Sequence, residues 1–233
     1  MRLPILVLLL AFAIDGPACA RDVQVPFVGC RSDGQAGALA APKDGGHAPR
    51  LAEQLALHLS WYASNNTGGV LAPRGWQCFE LYGSNGSVLM VAPNGLDQDP
   101  FEAKLLGPAI QLSTSLGATS GRFEAARIAA RLFPDRKRFV DSVIDEEIVP
   151  RSNFIFGTFS HDRIHRLNRD YVEFETPARM DGIGTMTRLR KSGNPIHGLV
   201  WMDDDNNATI LAVRLTPGQK DLADYIVATM KPR

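Results

Sequence analysis

The sequence predicts an α+β fold in which helices pack on an antiparallel sheet. Two hairpins and two helical stripes predict it. The first hairpin joins residues 76–82 to 87–92 through Gly83-Ser84-Asn85-Gly86, because Asn-Gly between apolar, aromatic runs is the preferred type I′ turn. The second joins residues 196–202 to 208–215 across the polar stretch 203–207. Helical spacing of apolar residues marks 123–133 and the stretch after Thr216.

Taken in order, the chain opens on Arg2 and an apolar run over residues 5–14, broken by Asp15, Gly16 and Pro17. Ala18-Cys19-Ala20 fits the small-x-small cleavage rule, so residues 1–20 read as a cleavable signal peptide and 21–233 as one mature α+β domain, or two tightly joined halves meeting near 134–160. A membrane anchor would need about 20 apolar residues, more than this run supplies. Lipidation at Cys19 would want a Leu-like residue where Gly16 stands. The expected location is periplasmic or secreted, with no integral membrane segment after leader cleavage.

Residues 31–49, rich in Gly, Ala, Pro and Asp, read as an irregular connection. Pro49 opens an expected helix, with Leu51, Leu55, Leu59 and Tyr62 in one stripe and Asn65-Asn66-Thr67-Gly68-Gly69 ending it. In the first hairpin, placing Asn85-Gly86 at the centre pairs Tyr82 with Leu89. Trp76, Cys78, Glu80 and Tyr82 then share one face, and Phe79 and Leu81 the other. Large groups on both faces suggest an internal hairpin, covered by a helix on one side. Residues 109–116 read as a strand. In the 123–133 helix Phe123, Ala126 and Ala130 point inward, and Arg122, Arg127 and Arg131 outward. A further helix is expected over 139–148, although Asp145-Glu146-Glu147 sits badly against its C-terminal dipole. Strands are read at 171–176 and 182–187. Thr216-Pro217-Gly218-Gln219 starts the last helix with an N-cap, Pro at the first position and a capping-box Gln, and Leu222, Tyr225, Ile226 and Met230 form its stripe.

Lys+Arg and Asp+Glu balance at 25 each, and the densest basic run, Arg136-Lys137-Arg138, lies between Asp135 and Asp141. That argues against a nucleic-acid partner, which would call for a basic excess or stripe. Of three cysteines, Cys19 leaves with the leader. Cys30 and Cys78 are expected to pair in an oxidising compartment, where closing so long a loop stabilises by at most about 4 kcal/mol. A catalytic thiolate would need a neighbouring His, and a zinc site would need thiols a few residues apart.

Leu71-Ala-Pro-Arg-Gly-Trp-Gln-Cys78, Tyr82-Gly-Ser-Asn-Gly-Ser87, Glu175-Thr-Pro with Gly182-Ile-Gly-Thr185, and Ala212-Val-Arg-Leu215 together resemble a family of uncharacterised exported bacterial proteins. The resemblance covers most of 25–230. It implies a bacterial envelope or secreted location, and brings no activity, cofactor or catalytic residue with it.

The residues that invite chemistry divide as follows. Gly83-Ser84-Asn85-Gly86 lacks the Gly-x-Ser-x-Gly spacing of a nucleophile elbow and lies in a strand-to-strand turn. His161 and His165 stand four apart without the Glu of a zinc protease, and on a strand they line a polar face with Arg163. Asp203-Asp204-Asp205-Asn206-Asn207 lacks the spacing of a calcium loop and reads as a hairpin turn. Gly182-Ile-Gly-Thr185 is half of a phosphate-loop pattern and reads as a bulge. Arg74-Gly75-Trp76 holds two residue types enriched in recognition hot spots; the alternative is a core Trp beside an Arg that caps a turn. Arg74, Trp76, Tyr82, His161 and His165 are thus the candidate binding residues, with no cofactor and no metal expected. Two functions compete: a non-catalytic envelope protein that binds a protein or small ligand or has a structural role, and an exported hydrolase with catalytic groups scattered in sequence. A cleft in which His161, His165 or His197 meets a carboxylate and a Ser or Thr would separate them.

Overall fold

The computed structural model describes residues 21–46, 48–96 and 99–232. The expected leader, residues 1–20, lies outside the described residues. The architecture mixes helix and strand, with antiparallel pairing dominant and strand outweighing helix. It is thus more sheet-rich than the sequence reading implied.

The strands are β1 (Asp22–Gln24), β2 (Phe27–Gly29), β3 (Arg31–Gly34), β4 (Arg50–Ala52), β5 (Leu59–Ser64), β6 (Gly68–Pro73), β7 (Gln77–Gly83), β8 (Gly86–Ala92), β9 (Ala109–Ser115), β10 (Arg163–Arg166), β11 (Tyr171–Thr176), β12 (Ile196–Met202) and β13 (Ala208–Arg214). The helices are α1 (Glu53–Ala56), α2 (Arg122–Leu132), α3 (Lys137–Ile144) and α4 (Lys220–Ala228). An eight-stranded sheet runs β10-β11-β12-β13-β9-β8-β7-β3, so it draws strands from both sides of residues 134–160. Its pairs are antiparallel except β3–β7. A three-stranded sheet runs β2-β5-β6, and β1 pairs β4. Two cores follow. On one face α2 and α3 cover Met90, Ile210, Ala212 and Val200. On the other, the small sheet and α4 cover Leu89, Ile110, Leu112, Leu199 and Leu211.

Several expectations change. The helix expected after Pro49 is a strand, a single turn of helix and another strand. Leu59-Ser60-Trp61-Tyr62 belongs to β5, where aromatic residues suit a pleated surface. Leu59 and Tyr62 are both fully buried although they lie on opposite sides of the pleat, so a strand covered on both sides imitates a helical stripe. Asn65-Asn66-Thr67 is the β5–β6 turn. The stretch 31–49 is not wholly irregular: Arg31–Gly34 forms the edge strand beside β7. The apolar segment before Cys30 lies along β5, with Phe27 opposite Trp61 and Gly29 opposite Ala63.

In that hairpin Tyr82 pairs with Ser87 and Gly83 with Gly86, so Ser84-Asn85 are the central turn residues. Positive φ falls on Gly86, not on Asn85. The slip is two residues, and a strand's period of two leaves the face assignments intact: Leu81 joins the helical core, Cys78 the other. The strand expected over 182–187 is a 3₁₀ turn, Ile183–Met186. Side chains take its N–H groups, since Ile183 N donates to Asp162 Oδ2 at 2.7 Å and Gly184 N to Thr176 Oγ1 at 3.0 Å. Helix α3 stops at Ile144, ahead of the acidic run that opposes its dipole. Helix α4 starts after a 3₁₀ turn at Pro217–Gln219, and its deepest residues are Ala223, Ile226 and Val227. Leu222, Tyr225 and Met230 pack at the margin.

Cys30 and Cys78 form the expected disulfide, with Cα atoms 5.3 Å apart. Among the described residues no helix is long and apolar enough to cross a membrane.

Candidate functional site

A central strand buried on both faces should be apolar throughout. β9 is not. Ile110 and Leu112 point into the core under the small sheet, while Gln111, Ser113 and Ser115 point toward α2. Register sets each of these between two neighbours: Gln111 between Met90 and Ala212, Ser113 between Val88 and Ile210, Ser115 between Gly86 and Ala208. The result is a hydroxyl-bearing floor across three strands. Above it α2 leaves a cleft of about 560 Å³, within the range of small-molecule sites.

The walls come from two further elements. The start of α2 supplies Ser120, Gly121, Phe123, Glu124 and Arg127. Gly121 caps this helix without a side-chain acceptor; the N–H groups of Arg122 and Glu124 are taken by the carbonyls of Thr119 and Gly121, and Ser120 and Gly121 put the start of the helix on the cleft wall. The chain leaving the 3₁₀ turn supplies Met186, Thr187, Arg188 and Arg190. Gln111 Oε1 accepts the Arg188 N–H at 2.9 Å and fixes this segment against the floor. Three arginines thus face one acid. Arg127 Nη1 donates to Glu124 at 3.2 Å, while Arg127 Nε is buried with no hydrogen-bond partner among the described residues. Burial pushes the Arg188 pKa down; Glu102 opposes this, and the Arg190 charge adds to it. Arg188 also donates to Phe101 O at 2.6 Å and so holds the neighbouring loop.

Among the residues singled out from sequence, Tyr82 comes nearest. It lines an extension of this cleft that shares Asn85, Val88, Ser113, Ser115 and Arg188 with it. Its hydroxyl donates to Gly37 O at 2.6 Å. Arg74 and Trp76 flank Gly75 in the β6–β7 connection. Arg74 donates to Leu59 O at 3.1 Å and to Ala56 O, and the Trp76 N–H donates to the Tyr62 hydroxyl at 3.0 Å. Trp76 is half-buried against the core under the small sheet. His161 is exposed in the turn before β10. His165 lies on the edge strand β10, opposite Glu173, with Nδ1 3.5 Å from its carboxylate.

The sequence reading missed three arginines and the β9 floor. The alternation Ile110-Gln111-Leu112-Ser113-Thr114-Ser115 was the available signal, but by itself it describes any strand with one wet face.

The remaining cavities are chemically poorer. His197 lies in a cleft between β10–β12 and α4, with Nδ1 3.3 Å from Asp224 and 3.9 Å from Glu175. Among the described residues no Ser, Thr or Cys lines that cleft. An apolar pocket of about 430 Å³ sits at the far end of α2. The arginines at its rim are engaged by carbonyls near that end, Arg131 by Gly157 O and Arg166 by Leu132 O. Among the described residues no group of three or more His, Cys, Asp or Glu could hold a metal ion. No family model, curated protein or solved structure matches the chain.

Proposed function

We propose that the chain is an exported, non-catalytic α+β protein of the bacterial envelope that binds a small polar ligand in the cleft between β9 and α2. The observation that carries this reading is the core-facing row Gln111, Ser113 and Ser115 on a central strand. Filling that space with Val or Leu would stabilise the fold by roughly 1–3 kcal/mol per side chain, so polar residues there fit a site better than a core. The Cys30–Cys78 disulfide suits an oxidising compartment. The alternative, an exported hydrolase, finds less support, because the buried His197 meets carboxylates without a hydroxyl or thiol lining the same cleft.

Two measurements test the reading. Titration of the purified protein with a panel of polar metabolites should move the methyl resonances of Val88, Met186 and Ile210, and Ser113→Leu should abolish those shifts. Shifts that survive Ser113→Leu, or none at all, would sink it. Mass spectrometry of protein recovered from periplasm or medium should find a chain beginning at Arg21; an intact Met1 start would refute export by a cleaved leader.

A further inference from the structure

Resting on that reading of the cleft, we propose that its ligand is a small polyhydroxylated organic acid whose oxyanion lies between Arg127 and Arg190. The charge balance of the lining leads there. Arg127, Arg188 and Arg190 face the cavity against Glu124 alone, and that carboxylate is already engaged by Arg127 Nη1. Arg127 gives Nη1 to Glu124 and carries further guanidinium N–H donors on a side chain that is one-third exposed, and these can meet a ligand oxygen. Arg188 and Arg190 are close enough to repel each other, a cost that an anion between them and Arg127 relieves. The start of α2, whose residues line the same side, adds the partial positive charge of the helix dipole. A guanidinium presents a planar fork of N–H donors that matches a carboxylate or a phosphate.

The rest of the lining describes the body of the ligand. Ser113, Ser115 and Ser120 carry hydroxyls that both donate and accept, as a polyol requires. Val88, Phe123, Met186 and Ile210 supply apolar surface for its C–H faces. The cavity is larger than a single inorganic anion needs, so the oxyanion is one part of a bigger molecule.

The test uses four probes in calorimetric titration of the whole protein at low salt: D-gluconate, sorbitol 6-phosphate, sorbitol and acetate. At least one of the first two should bind saturably at one site, with sorbitol and acetate weaker by about tenfold or more, because sorbitol lacks the charge-assisted contacts and acetate lacks the hydroxyl contacts. Which of the first two wins separates a carboxylate from a phosphate head. Affinity should fall as salt is raised. Arg127→Gln and Arg190→Gln should each weaken binding roughly tenfold with the unfolding midpoint little changed. Neither side chain braces a loop as Arg188 does. Sorbitol binding as tightly as the acids would overturn the inference and leave the cleft a site. The same holds if no probe binds while the metabolite panel still moves the cleft methyls. Silence in both experiments removes the inference and the proposed function together. Binding unchanged in both arginine variants would overturn the placement of the anion.

Discussion

Two carboxylates, one fully buried and one half-buried, show how single residues tie distant segments together. Glu80 is fully buried on β7 and takes hydrogen bonds from Ser64 Oγ, from the N–H groups of Asn66 and Thr67, and from their side chains, with the Thr67 N–H at 2.6 Å. It organises the whole β5–β6 turn. Glu80→Ala orphans those donors and should cost about 3 kcal/mol, against roughly 1 kcal/mol for Glu80→Gln, which keeps an acceptor; urea unfolding midpoints rank the two. Asp162 is half-buried and accepts from Thr176 Oγ1 and the Ile183 N–H, each at 2.7 Å. Burial raises its pKa above the ordinary value of 3.8, and the two hydrogen bonds only partly offset this. The folded chain therefore holds the Asp162 proton more tightly than the unfolded one. Its contribution to stability is full below pH 3.8 and is lost as pH rises through the higher folded value. Asp162→Asn should flatten that part of the stability–pH profile. A variant and wild type that stay parallel across the acid range would show that another group sets it.

At the level of elements, the first hairpin was legible as a hairpin and illegible in its turn. Its two apolar runs set the strands, but the loop centre moved to Ser84-Asn85, because the partner strand β9 constrains Gly86. A Cβ there would stand 1.9 Å from Thr114 O, and its φ of +135° lies where L-residues are rarely found. Gly86→Ala should thus destabilise by about 2 kcal/mol or more, while Asn85→Ala, at negative φ, should shift the midpoint by under ~0.5 kcal/mol. Equal losses in the two thermal melts would show that Asn85 does set the turn. β5 failed for a different reason. Its apolar residues reflect cover on both sides, and periodicity measures only how many sides are covered. β11 and β12 were read to the residue because Tyr171-Val172-Glu173-Phe174-Glu175 alternates and β12 is bounded by turn residues.

At the scale of the molecule, the disulfide sits at a junction. Cys30 lies between β2, which joins the small sheet, and β3, which joins the edge of the large one. Its N–H donates to Ala63 O of β5 at 2.8 Å, while its sulfur is bonded to Cys78 on β7. The cross-link therefore fastens one sheet over the other near the start of the folded chain. Reduction should cost at most about 4 kcal/mol, and hydrogen exchange should quicken in β2 and β3 before β12 and β13. Uniform loss of protection across both sheets would show that the cross-link stabilises the molecule as a whole. Alkylation of denatured, unreduced protein should modify no thiol in residues 21–233.

Mixed helix and strand, the second hairpin, α2 and the pairing of two cysteines were all legible in the chain, because each depends on near neighbours or on elimination. Turn chemistry, period and cysteine count are local properties. The candidate site was not legible. Its floor comes from β8, β9 and β13, and its charges from α2 and the segment after the 3₁₀ turn. Only pairing in the eight-stranded sheet brings those segments together, and only α2 lying over it turns the Ser-bearing side of β9 from an ordinary wet face into the floor of a cleft. Charge follows the same rule: a chain with balanced Lys+Arg and Asp+Glu can gather three arginines against one glutamate in a single cavity, since net charge sums over the chain and a site depends on position.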